Sequence, residues 1–368
     1  MAIILMVIGH ADCPSVLSNF LYEFHMPLFF MTAGYFFSLR YLDDEATFVK
    51  KRLRGLYLPF LKWSVFFLVI HNLMFRIGLL NEQYGNWSGG VTHPYTWHQA
   101  CQRLWNMVSA MGGYDEFLLG AFWFFRGLLV ASILYLVFFK LVRRVWLRFC
   151  PHVAPDSLAW RLWLPLTVCL LPLLLAGWKC AEGLKVITLV QGGYREIMGC
   201  FFFGCGYLFS QWRHLYRPRW WSSLLLFGVV CFFSTYLTAN MNWRSSFDQF
   251  LSLPLPAICG SLLTYNIAVF VDRFKSSRVR RFLVYLGDNT LCVFVFHIIS
   301  YKVVSVLKIV YYGLDWGQIG CHMVIHDHAA DDLFWVLYAI VGVGLPITVN
   351  YLLAHIRWRR FFGSGRAF

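Results

Sequence analysis

Four residues near the start of the chain are of the types that proton-transfer chemistry requires. His10 and Asp12 close the first apolar run, in Gly9-His10-Ala11-Asp12, and Glu23 and His25 open the second, in Glu23-Phe24-His25-Met26-Pro27. Histidine changes charge near neutral pH and so can serve as a general base, while a neighbouring carboxylate fixes which ring nitrogen holds the proton. His10 with Asp12 or Glu23 fits that arrangement. The competing reading of either histidine is a neutral ring hydrogen-bonded to a helix carbonyl, and the residues alone leave both open.

Other ionisable groups stand inside apolar runs, where each is costly and calls for a reason. Arg126 lies three residues after Trp123. It needs a carboxylate, a phosphate, a water-filled cavity, or an interface to which it can snorkel. His297 and Lys302 share a late apolar run, with Asp288 and Asn289 shortly before it. The string Cys321-His322-Met323-Val324-Ile325-His326-Asp327-His328 places His322 and His326 four apart, as in zinc-binding helices. It lacks the glutamate of a metalloprotease motif, so a solvated polar loop is the favoured reading and no metal site is expected.

The elements that must carry these residues are membrane helices. The 368 residues are 59% hydrophobic and 14% charged. A water-covered surface cannot be built from that balance. Near-spanning apolar segments fall at roughly 1–20, 20–39, 56–75, 117–139, 160–177, 195–211, 220–239, 250–271, 283–307 and 333–354. Pro254 and Pro256 fall in the eighth of them, where neighbouring helices are expected to satisfy the freed carbonyls. The expectation is an all-α polytopic bundle of about ten spans, forming one domain over 1–368.

Alternate loops differ in basic charge. The set 40–54, 140–148, 213–219, 273–281 and 357–366 holds 21 Lys and Arg, against 7 in the other set. The positive-inside rule then makes both termini cytoplasmic, with 355–368 a basic cytoplasmic tail and 76–116 an extracytoplasmic loop. The net charge of +14 sits in these short loops rather than on a soluble face, so no nucleic-acid partner is expected. Eleven cysteines are spread singly, without any CxxC pair, which argues against a disulfide framework or zinc ribbon. Tyr84, Trp87, Tyr95, Trp97 and Trp105 in the long loop are of the kind that stack on sugars or form an interfacial belt, and the belt is the favoured reading.

The ordered motifs resemble a known family. Ile3-Ile4-Leu5-Met6-Val7-Ile8-Gly9-His10, then Phe24-His25-Met26-Pro27-Leu28-Phe29-Phe30 and Gly34-Tyr35, resemble the start of the acyltransferase-3 membrane family, particularly its fucose 4-O-acetylase-like branch. Phe48-Val49-Lys50-Lys51-Arg52-Leu53-Arg54 is similar to its basic loop, and Trp123-Phe124-Phe125-Arg126 to its Trp-Phe-Leu motif. Leu286-Gly287-Asp288-Asn289-Thr290-Leu291 with Phe296-His297 is similar to its late span.

The resemblance implies transfer of an acetyl or other acyl group from acetyl-CoA to a hydroxyl of a cell-surface or lipid-linked carbohydrate. It implies His10 as catalytic base, supported by His25 and Asp12, with Lys51, Arg52, Arg54 and Arg126 receiving coenzyme A. Glu23, Trp123, Asn289 and His297 are then expected on the acceptor. Acetyl-CoA is a substrate here, and no permanently bound cofactor is expected. The partners are membrane lipids, acyl-CoA and the glycan, and the expected location is a bacterial inner (plasma) membrane.

Three departures accompany the match. The family usually has Arg or Lys about eleven residues before its catalytic histidine, a position that here would precede Met1, so the first helix reads as clipped. Thr32-Ala33-Gly34-Tyr35 stands where a Ser often precedes the glycine, and the Arg-x-x-Arg pattern of the basic loop is imperfect. The competing class is a multi-span transporter or flippase for a sugar or lipid-linked glycan, since intramembrane His, Arg and Lys also line substrate paths.

Overall fold

A computed structural model describes residues 1–85, 93–149, 157–184, 193–241, 246–274, 277–322, 325 and 332–355. Among them every regular element is helical. In chain order these are α1 (Ala2–Gly9), α2 (Ser15–Tyr22), α3 (His25–Tyr35), α4 (Glu45–Arg52), α5 (Leu58–Arg76), α6 (Glu82–Gly85), α7 (Trp97–Ala110) and α8 (Trp123–Phe149). There follow α9 (Leu158–Ala181), α10 (Tyr194–Trp212), α11 (Trp220–Tyr236), α12 (Phe247–Ser252), α13 (Pro254–Asp272), α14 (Arg278–Asp288), α15 (Thr290–Tyr312) and α16 (Phe334–His355).

Six helical stretches among the described residues are long and apolar enough to cross a membrane: Glu45–Arg76, Gly120–Phe149, Leu162–Ala181, Phe247–Asp272, Thr290–Tyr312 and Phe334–Leu353. A helix pairs the backbone polar groups of its interior within itself, which is what a bilayer demands. The protein is therefore an all-helical, integral membrane protein.

The first two apolar segments are not single helices. Segment 1–20 is split into α1 and α2 because Asp12 takes a left-handed backbone (φ 56°) and Pro14 follows it. At 11 residues α3 rises about 16 Å, against roughly 30 Å of hydrocarbon. In the eighth segment the helix is interrupted just before Pro254, between α12 and α13. Pro254 is the first residue of α13 and Pro256 lies in its first turn, where no intrahelical partner for the N–H exists. The ten cysteines of the described residues are free.

Two compact units make up the chain. One comprises residues 1–18, 58–123 and 271–368, the other 19–57 and 124–270. In the first, α1 packs on α15 and α16. Tyr301 on α15 donates from its hydroxyl to the Val7 carbonyl at 2.7 Å. Gly342 on α16 lies so close that a Cβ there would come within 2.5 Å of Tyr301 and 2.9 Å of Val7.

In the second unit α10 packs on α3 and α9. A Cβ on Gly34 would meet the Phe203 carbonyl oxygen at 1.9 Å, and one on Gly206 would meet that of Met31 at 1.9 Å. Small residues allow this backbone-to-backbone approach, as in membrane helix pairs generally. Around the crossing Phe37, Tyr135, Phe203 and Tyr207 interlock through edge-to-face and tilted ring contacts at 5.1 to 6.1 Å.

Candidate active site

His10 is the C-cap of α1, with its backbone N–H on the Met6 and Val7 carbonyls, so the anchoring of that short helix sets where the imidazole stands. Within the same unit its ring lies 5.5 Å, centroid to centroid, from that of His297 on α15. These two site residues, 287 positions apart, are brought together. His297 is 1% exposed. Its Nδ1 faces the carbonyls of Phe294 at 3.0 Å and Val293 at 3.2 Å. A carbonyl only accepts, so Nδ1 carries the ring proton and Nε2 keeps a lone pair. Nε2 is buried without a hydrogen-bond partner among the described residues.

Asp12 lies within electrostatic range of Lys308 and Asp332, which pair at 3.0 Å. Lys302, one turn beyond His297, is fully engaged. Its ammonium donates to the carbonyls of Ile319 at 2.6 Å and of Cys321, and it lies 5.5 Å over the Phe117 ring.

The other unit holds His25 and Glu23. His25, 1% exposed, is in contact through Nδ1 with the Leu21 carbonyl at 2.8 Å and meets the Tyr22 ring edge-on at 4.8 Å. Glu23, 0% exposed, accepts the Ala239 N–H on Oε1 at 3.0 Å, while Oε2 has no partner among the described residues. Arg126 finds its carboxylate in Glu196 of α10, with Nε 3.6 Å from Oε1 and both side chains buried.

The basic cluster sits at the end of α4 and in a π-helical turn, Leu53–Tyr57. Asp44 caps the start of α4 by accepting the Thr47 N–H, and Lys50, Lys51 and Arg52 fill its last turn, where the helix dipole favours cations. Lys51 donates to the Tyr41 hydroxyl at 3.1 Å, Arg52 stacks over Phe48 and Phe203 at 5.0 and 5.5 Å, and Arg54 is exposed. Lys51 and Arg54 thus present charge outward, and Arg52 is half-buried on aromatic faces.

Trp123 is half-buried at the first residue of α8. Asn289 is bonded on both sides of its amide, donating to the Tyr285 carbonyl at 2.8 Å and accepting from Asn350 at 2.7 Å. It joins α14, α15 and α16.

A network not foreseen from the sequence lies in the His10 unit. His71 of α5, 0% exposed, is 2.8 Å from Asp115 through Nδ1 and 2.9 Å from the His93 carbonyl through Nε2. Tyr95 stacks flat on His71 at 3.7 Å, and Arg103 lies 4.5 Å over Tyr95. Tyr95 is therefore packed inside rather than standing in a belt, whereas Trp97 and Trp105 are exposed. Tyr84 donates to Asp315 at 3.1 Å, and Trp87 lies outside the described residues. A cleft of about 600 Å³ beside the end of α5 is lined by Asn72, Phe75, Arg76, Asn81 and Glu82, among others, without His10 or His297.

His322 is not the solvated loop residue expected. Its ring packs 4.6 Å from that of Phe117, and its Nε2 is buried without a hydrogen-bond partner among the described residues. His326 and His328 lie outside the described residues, and among those described no group of three or more His, Cys, Asp or Glu is placed to hold a metal.

No curated protein and no solved structure matches the chain. A family model described as an acyltransferase domain matches residues 1–355, nearly the full length, over the same span that brings His10 beside His297. The chain belongs to this acyltransferase family and is a membrane acyltransferase.

Proposed function

We propose that the enzyme moves an acetyl group from acetyl-CoA to a hydroxyl of a cell-surface or lipid-linked carbohydrate, with His10 as general base. The observation that carries the reading is the ring pair of half-buried His10 and buried His297 within a chain of this family. A ring nitrogen of His10 takes the hydroxyl proton as the sugar oxygen attacks the thioester carbonyl. The C–O bond forms, the C–S bond breaks, and the coenzyme A thiolate leaves with the proton returned from His10. Such proton transfer contributes typically 10² to 10⁴ in rate.

Lys51 and Arg54, exposed at the end of α4 and the turn after it, receive the coenzyme A phosphates through charge-assisted hydrogen bonds, with Arg52 fixed beside them on Phe48. About ten crossings with both termini cytoplasmic place this cluster where acetyl-CoA is available. A bacterial inner membrane is the proposed location.

The test is to incubate membranes containing the protein with labelled acetyl-CoA and candidate cell-surface glycans. The parent transfers label and His10→Ala does not. Transfer unchanged in His10→Ala overturns the mechanism, and movement of an unmodified solute without transfer overturns the enzyme reading.

A further inference from the structure

The loop after α15 is fastened so that one side chain enters the interior of the His10 unit. Its 3-10 turn, Trp316–Gly320, is held by Asn81, which donates to the Gly317 carbonyl at 2.6 Å, and by the Lys302 ammonium on the Ile319 and Cys321 carbonyls. Gly320 fits against Asn81 so closely that a Cβ would lie 2.2 Å from it. The next residues bring the His322 ring against Phe117, within 4.0 Å of where a Cβ on Gly120 would stand.

His322 then repeats the chemistry of His297. Its backbone hydrogen bonds run to Glu116 and Phe117, and the nitrogen left over, Nε2, is buried without a partner among the described residues. Burial, reinforced by the Lys302 ammonium, holds His322 down to about 4. At neutral pH it carries one proton, on the Nδ1 side, and Nε2 is a lone pair. Among the described residues, Asp115, Lys302 and His297 are charged or titratable groups in electrostatic range of it. Two imidazoles in one unit, His297 buried and His322 half-buried, thus each hold a buried Nε2 to which no described residue donates, and a buried acceptor without a donor is costly. A ligand bearing two O–H donors relieves both.

We propose that His322 is an acceptor-binding residue: its Nε2 receives a hydrogen bond from a second hydroxyl of the carbohydrate whose first hydroxyl is acylated beside His10 and His297. The inference rests on the acyl-transfer reading and adds to it the requirement that the acceptor be a diol or polyol rather than a single alcohol. A site built to pair a substrate hydroxyl rejects the analogue lacking it, because its own polar atom is then left unpaired.

The experiment uses the full-length protein in membranes at saturating acetyl-CoA, with a methyl glycoside that the parent acylates and its series of monodeoxy analogues. His322→Gln keeps an oxygen acceptor near the position of Nε2, and His322→Met keeps length and contact with Phe117 while removing the acceptor. In the parent, one deoxy analogue outside the acylated position raises the acceptor KM about tenfold, the scale of one lost hydrogen bond. In His322→Met the glycoside and that analogue become equal within about twofold, and His322→Gln restores part of the difference. Discrimination unchanged in His322→Met overturns the assignment, the lone pair then being served by an ordered water only. Where His322→Met accumulates poorly, the partial loss of discrimination expected in His322→Gln decides, and discrimination there identical to the parent overturns the assignment. A parent that acylates no glycoside overturns the acyl-transfer reading itself, and His322 with it.

Discussion

Arg126 and Glu196 are buried in one unit, whereas His297, Lys302 and Asp115 are buried in the other. The first pair closes on itself by charge: an ion pair at 3.6 Å, with Arg126 Nε and Glu196 Oε1 just beyond hydrogen-bond distance. The second group is closed only in part. Lys302 and His71 have partners on every side the structure shows, but among the described residues nothing donates to the Nε2 of His297 or of His322. A buried ion pair neutralises itself within the protein, whereas a neutral imidazole with a spare lone pair can still accept a hydrogen bond from a ligand. The comparison therefore separates structural from chemical charge inside the same apolar chain.

The largest effect should come from opening the closed pair. Glu196→Leu leaves the Arg126 guanidinium buried alone and should cost roughly 3–5 kcal/mol, read as lost accumulation and lowered melting temperature in detergent. Adding Arg126→Met should recover most of the loss. A double variant no better than the single would show that the pair is not what holds Arg126.

Next is the glycine crossing. Gly206→Ala should cost about 1–3 kcal/mol or more, since the obstacle is the Met31 backbone and not a movable side chain. In the other unit, His297→Met should behave in the opposite way. It removes Nε2, which has no hydrogen-bond partner among the described residues, together with an Nδ1–H that rests only on helix carbonyls, so melting should change by about 1 kcal/mol, while transfer falls at least about tenfold. A large loss of stability with transfer retained would erase the contrast.

A smaller effect is pH dependence from His322. Its folded value is lowered to about 4 from an ordinary 6.5. Above 6.5 neither folded nor unfolded chain is protonated there, and below it the unfolded chain binds a proton that the folded chain refuses. Stability should fall as pH drops from about 6.5 through 4, and His322→Gln should flatten that slope. Smallest of all, Asp272→Asn breaks an exposed pair with Arg280 at 2.7 Å and should cost under about 1 kcal/mol.

Apolar run length located α5, α8, α9, α10, α11, α13, α15 and α16, with ends off by up to about ten residues, because a spanning helix must be apolar along its whole length, and it passed over the short helices α7, α12 and α14. It misjudged the opening segments, where apolar residues continue through the left-handed Asp12 and run length does not register a reversal of φ. The rule that ionisable groups inside apolar runs need a reason selected Arg126 and His297, and the same rule applied to His71 and Glu196 would have found both. Asp115 was not legible in that way. Its partner is 44 residues distant, and nothing local to Asp115 signals a buried acceptor. Asn289 illustrates the converse, a motif residue whose amide is bonded to Tyr285 and Asn350. His322 was hidden because loop polarity reads as solvation until the anchors that turn it inward are known.

What holds α1 comes from far along the chain: the Tyr301 hydroxyl on the Val7 carbonyl and the close approach of Gly342. His10 is made long before α15 and α16 and gains these neighbours only when they have been synthesised and inserted. Assembly of the His10–His297 pair is thereby tied to synthesis of α15, and a polypeptide stopped before residue 290 contains His10 without the helix that brings His297 to it.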